Sequence, residues 1–341
     1  MIRADGIRAA GLGAVLAAGG APATAEGYAA APFHEAPVAA AQAMALELVA
    51  LRAEAAAAVS EPTADLVEEA GRMREDDLAL VLASLARADP EAAEALSRAV
   101  DTFLLAAQGG EALAEPAAAL RTAADRAAAA LRLQPTPAHR GAVAALLLVS
   151  EVGLAEAYEE SAEGELQAYP LGWAALQRVK AIAGELRPGM SRSAAADVDD
   201  TVMRLDALFA AADPPERFAS DPEEAEVLAQ RLVGLLEEGA DADLYLGRDL
   251  ARALGTVRDL AAAGCADPDA KVGAETVMIA AFFYEDALAG PLSVLVPDAQ
   301  AATEQAFDAQ RSDPSARAAA CGALLDALDR AAGALDPPGS Q

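Results

Sequence analysis

Apolar positions recur at helical spacing almost from end to end of this chain. Pro37 suits the first turn of a helix, and Val38–Val59 then runs without a breaker, repeating apolar residues at Met44, Leu48, Leu51 and Ala55. Glu61-Pro62 restarts the pattern with Leu66, Val67, Ala70 and Met73 on one face, and Leu78–Leu85 is apolar enough to be central. Asp89-Pro90-Glu91 reads as a helix opening, a capping aspartate before a first-turn proline. Its helix carries Leu96, Val100, Phe103 and Leu104 to Gly109-Gly110. Further helices are predicted over Pro116–Leu133 and from Tyr169-Pro170, where Trp173, Leu176, Val179 and Ile182 share an inner face up to Pro188-Gly189. No β-branched run alternates as a strand requires. The predicted fold class is all-α.

Gly141–Trp173 stands out. It opens as the most apolar helix and ends as one of the most acidic. At 100° per residue, Leu147, Glu151, Leu154 and Tyr158 fall on one side, which places a carboxylate and a phenol in a stripe that otherwise reads as core. Glu159, Glu160, Glu163 and Glu165 follow, with Gly164 as the expected cap. Anions at a helix C-terminus oppose the macrodipole unless a cation answers them.

A second pattern is internal. Asp89–Leu96 and Asp221–Leu228 share six of eight residues at an offset of about 132. The same offset lays Gly141-Ala142 over Gly273-Ala274, Phe283 over Glu151 and Gly290 over Tyr158. The expected architecture is two related antiparallel helical bundles, residues 38–186 and 194–335, behind a flexible lead-in at 26–37. Residues 1–25 read as an export signal: Arg3 and Arg8 begin it, Ala9–Ala18 is its apolar middle, and Ala23-Thr24-Ala25 is its cleavage site. No later run reads as a membrane span, because Ser150 and Glu151 break the strip Ala142–Val149. The expected location is the periplasm, with no membrane insertion after signal cleavage.

Composition sharpens this. Hydrophobic residues make up 54% of the 341, but aromatics only 4%; much of the rest is alanine, which favours closely packed helices. The net charge of −29 repels nucleic acid and attracts cations or basic partners. Cys265 and Cys321 suit an oxidising compartment. A bridge between them would close a loop of roughly 57 residues and contribute about 4 kcal/mol; two separately buried thiols are the alternative.

The candidate chemistry is hard-cation binding. Carboxylate and phenolate oxygens suit iron, calcium, manganese or magnesium, and the expected ligands are Glu151, Tyr158, Glu159 and Glu165. Another helix must complete the shell, from Glu68, Glu69 and Met73 or from Glu47. The structural reading of the same residues is a core tyrosine and a solvated helix end. His34 and His139 are the only histidines and lack helical zinc spacing; no phosphate loop, CxxC or nucleophile arrangement stands out, so no catalytic role is expected.

The run Gly153–Glu165, with Tyr169-Pro-Leu-Gly-Trp173 downstream, resembles the helical extracytoplasmic regions associated with FTR1-type iron permeases. The resemblance implies a periplasmic accessory or binding protein that handles iron for an uptake system, with a membrane iron permease or another periplasmic protein as partner. The alternative is a non-catalytic helical protein-interaction scaffold.

Overall fold

The helix openings written in the sequence are where the chain folds. In the computed structural model, which describes residues 32–133, 136–218, 220–312 and 317–335, the regular elements are helical and no described segment is a strand. The signal expected at 1–25 lies outside the described residues, as does 26–31. Helix α1 (Pro32–Glu35) is one turn, and α2 (Pro37–Ala58) starts at the predicted proline. Thr63 caps α3 (Ala64–Arg72), which passes through a π-turn at Met73–Asp77 and a 3-10 turn into α4 (Leu82–Ala88). Asp89 Oδ1 accepts the Ala92 N–H at 3.0 Å to open α5 (Pro90–Gln108). Then come α6 (Ala114–Ala130), α7 (Pro137–Val149), α8 (Leu154–Glu163), α9 (Tyr169–Leu186) and α10 (Arg192–Leu208). The remainder is α11 (Pro222–Ala240), α12 (Leu250–Ala266), α13 (Ala270–Tyr284), a second π-turn at Glu285–Ala289, α14 (Gly290–Leu295), α15 (Pro297–Ser312) and α16 (Arg317–Leu335).

Two apolar cores meet at α2. Small alanines let neighbours approach it from several sides. Val49 and Ala53 face Met73, Leu85, Phe103 and Leu120, the core of α3 to α6. Met44, Leu48 and Leu51 face the other way, into a larger core with α7, α8, α9 and the C-terminal helices. This division differs from the expected units 38–186 and 194–335. Residues Gly141–Leu148 of α7 are buried, so that helix needs cover on every side. It takes that cover from α2, α9 and α11, across the expected boundary. Gly141 allows the approach: a Cβ there would lie 2.8 Å from the Ala240 Cβ.

The structure keeps the offset of 132 for one helix pair, α5 and α11, whereas α6 and α12 lie 136 residues apart (250 minus 114). Helices α5 and α11 both span 19 residues, and α6 and α12 both span 17. Their packing differs, since α5 lies against α6 whereas α11 lies against α7, α8 and α10.

The end of the lead-in is packed. Phe33 is buried against Phe283, ring centres 6.0 Å apart, and His34 Nδ1 lies 2.7 Å from Thr256 Oγ1. Cys265 and Cys321 are joined in a disulfide that ties α12 to α16. By length and composition, Pro137–Glu163 and Ala270–Leu295 do reach the threshold of a membrane span. The most apolar window of the first is 78% buried inside the protein, as a core helix would be, against 44% for the second.

Candidate functional site

The expected stripe from Leu147 to Tyr158 is not one helix face. Helix α7 stops at Val149, and Ser150 to Gly153 turn before α8 begins, with the Gly153 N–H donating to the Ser150 carbonyl at 2.7 Å. The turn breaks the 100° progression, so Glu151 leaves the row that Leu154 and Tyr158 continue. Tyr158 is 1% exposed and packs edge-on against Phe209 and Phe218, both at 5.4 Å between ring centres. Its phenol is raised above the usual tyrosine range by burial, against a hydrogen bond from the Ser220 backbone. Tyr158 is therefore a core tyrosine, part of an aromatic cluster with Tyr169, Phe209 and Phe218.

The acidic end of α8 divides in the same way. Gly164 takes φ 117° and closes the helix as the sequence requires. Glu165 lies beyond that cap on exposed backbone, off the face that carries Glu159. Glu159 is half-buried, and its carboxyl is raised by burial and then by Glu163, Glu226 and Glu223. The helix thus looks onto the acidic first turn of α11, and the predicted set Glu151, Tyr158, Glu159 and Glu165 does not converge.

The expected contributors from other helices are held by arginines. Glu47 bridges Arg121 and Arg178, at 2.6 Å from each; burial would raise its carboxyl, but the two guanidiniums hold it below the usual range. Glu69 pairs with Arg52 and with Arg72. Met73 is enclosed in the smaller core, and Glu68 points to solvent.

What the fold does bring to Glu151 is Asp286. The π-turn at Glu285–Ala289 sets Asp286 against the turn between α7 and α8, where the Glu151 backbone hydrogen-bonds its carboxylate. Asp286 Oδ1 is buried and has no hydrogen-bond partner. The Oγ of Ser150, the residue before Glu151 and only 2% exposed, is likewise buried and unpartnered. Buried oxygens are nearly always satisfied, so two orphans at one turn are a notable pair. Burial, and then the charge of Glu151, pushes the Asp286 carboxyl up to about 7.

Glu156 adds a third acid to this neighbourhood. Partial burial, followed by Glu159, Glu160, Glu151 and Glu163, pushes its carboxyl up to about 7. Glu151 thus bears on both of these carboxyls, each pushed up to about 7. Neither Glu156 nor Asp286 was among the residues the sequence pattern selected. Glu156 lay in plain view inside α8, but the approach of Asp286 depends on a long-range contact that no local spacing encodes.

The arrangement is rich in oxygen donors without being a finished cage. Among the described residues, no three His, Cys, Asp or Glu side chains are grouped so as to hold a metal ion. A cation at the α7–α8 turn would rely on Glu151, Asp286, the Ser150 hydroxyl and water, a donor set suited to hard ions. Compared with known protein families, curated proteins and solved structures, the chain matches none. The class that fold and site define is an all-α protein with a carboxylate pair at an interhelical turn.

Proposed function

We propose that this chain is a periplasmic, non-catalytic binding protein that takes up a hard cation, iron foremost, in support of an uptake system. One observation carries the reading: Asp286, whose Oδ1 is buried without a partner, is bonded by the backbone of Glu151, next in sequence to Ser150, whose Oγ is likewise buried and unpartnered. A cation bound at Asp286 would give its orphaned oxygen a partner and offset the repulsion from Glu151. The disulfide accords with an oxidising compartment. The partner in this reading is a membrane iron permease or another periplasmic protein.

Calorimetric titration with ferric citrate, Mn²⁺ and Ca²⁺ tests it. The expected result is a saturable heat with at least one ion, lost in a Glu151→Gln, Asp286→Asn double variant. Equal heats from parent and variant would remove the proposal. The scaffold reading rests on another observation, the neighbouring Val294 and Leu295 at the end of α14, which are 77% and 57% exposed. A protein partner that co-purifies at high salt and is lost from a Val294→Ser, Leu295→Ser variant would favour it.

A further inference from the structure

Helices α6 and α9 flank α2 and leave a groove between them, with α2 as its floor. The groove holds two adjoining clefts, of about 470 Å³ and about 220 Å³, that share Arg121, Asp125 and Arg178 as wall residues. The larger lies within the size range of small-ligand sites. Its apolar surface comes from alanines and from Trp173, the only tryptophan in the sequence.

The two arginines common to both clefts differ in how fully they are used. Arg121 donates Nε and Nη2 to Glu54 and Nη1 to Glu47, at 2.8, 3.1 and 2.6 Å, so it acts as a structural clamp. Arg178 makes one such bond among the described residues, from Nη2 to Glu47 at 2.6 Å, and its Nε is buried without an acceptor. A guanidinium has five N–H donors, and a single hydrogen bond leaves most of that capacity unspent. Asp125, on the same walls, takes part in no ion pair among the described residues. Spare donors, an unpaired carboxylate and a flat indole therefore border one cavity.

We infer that this groove binds a small zwitterion with a flat apolar body, of the aromatic amino-acid class. The ligand's carboxylate meets Arg178, which suits planar oxyanions. Its ammonium meets Asp125, and its ring lies on Trp173 and the alanine wall. A simple anion fits less well, because Asp125 repels it and the net charge of −29 disfavours its approach. A simple cation leaves Arg178 as it is. This site is independent of the carboxylates at Glu151 and Asp286, so each proposal stands or falls without the other.

Trp173 supplies the readout. Titration of the full chain with L-phenylalanine, excited at the indole, is expected to give a saturable change in emission. 3-Phenylpropionate, which lacks the ammonium, and 2-phenylethylamine, which lacks the carboxylate, are expected to bind at least tenfold more weakly. Arg178→Gln and Asp125→Asn are each expected to weaken L-phenylalanine at least tenfold, with Arg178→Lys intermediate. Circular dichroism and the melting temperature show whether each variant is folded, and calorimetry repeats the measurement without the indole. Absence of saturation with L-phenylalanine up to 10 mM overturns the inference. So does a folded Arg178→Gln variant that binds as tightly as the parent, or equal binding of the three probes.

Discussion

The Glu151 backbone is hydrogen-bonded to the Asp286 carboxylate, joining the turn between α7 and α8 to the π-turn after α13. The contact holds an acid in a place that disfavours its charge. The folded-state value of about 7 lies above the ordinary aspartate range near 4. Folding therefore binds the Asp286 proton more tightly. Its stabilising contribution is full below about pH 4 and is lost as pH rises through 7. Asp286→Asn removes the penalty, so at pH 8 the variant should be more stable than the parent by about 1–3 kcal/mol, and at pH 4 nearly equal to it. Urea denaturation of both proteins at pH 4, 6 and 8 measures the difference; a gap that does not change with pH would contradict the assignment.

Arg52 gives the opposite kind of prediction. It is 3% exposed on α2, donates Nε to Asp77 at 2.9 Å and also pairs with Glu69. Burial outweighs the guanidinium and pushes the Asp77 carboxyl up to about 6, so the site depends on keeping its cation. Arg52→Ala strands the acids and should cost about 3–5 kcal/mol. Arg52→Met combined with Asp77→Leu should recover much of that loss, because the pair is then replaced by packing instead of being broken. Denaturant midpoints of the single and double variants decide it. A cost below about 1 kcal/mol for Arg52→Ala would mean that water reaches the pair.

These two sites mark how far the sequence could be read. Helix boundaries were legible because they are local chemistry: Asp89-Pro90 and Asp221-Pro222 at starts and the glycine at 164 at an end act within a turn of themselves. The break at Ser150 was not, because the apolar spacing on its two sides stayed in helical phase across it. The neighbours of α7 were not legible for a related reason. Helix α7 is apolar nearly all round, and such a pattern asks for burial without naming the neighbour, which proved to include α11. At the candidate site, Glu151 was selected for a stripe it does not join, and its actual neighbour Asp286 was passed over within an apolar helix end. Of the acids proposed to help it, Glu47 has its arginine partners 74 and 131 residues away, and Glu69 is paired with Arg52, 17 residues away. Pairing over such separations is a property of the packed helices.

The disulfide between Cys265 and Cys321 should act chiefly on the unfolded chain. Joining α12 to α16 closes a loop across a sequence separation of 56, which restricts the unfolded ensemble by about 4 kcal/mol on the loop-entropy estimate. A Cys265→Ser, Cys321→Ser variant, or the parent under a strong reductant, should lose about that much stability. The folded circular dichroism should change little. Equal stability of oxidised and reduced parent protein would show that the bond does not constrain the unfolded state.

Helix α9 offers a paired test of close packing, because it carries two glycines in different surroundings. At Gly172 a Cβ would lie 2.7 Å from Phe209 Cε1 and 3.0 Å from the Ala157 Cβ. Phe209 has little room to retreat, since it stacks on Tyr169 at 5.0 Å between ring centres and meets Tyr158 at 5.4 Å. At Gly184 a Cβ meets nothing within 4 Å. Gly184→Ala should therefore stabilise by about 0.5–1 kcal/mol through helix propensity alone. Gly172→Ala gains the same propensity but must part α8 from α9, and should destabilise by about 1–3 kcal/mol on balance. Melting curves of the two variants, with near-ultraviolet circular dichroism to follow Tyr158 and Tyr169, separate the effects. If both variants were stabilised alike, the aromatic cluster would have to be loose enough to yield, and Tyr158 would then be free to leave the core in which the packing now places it.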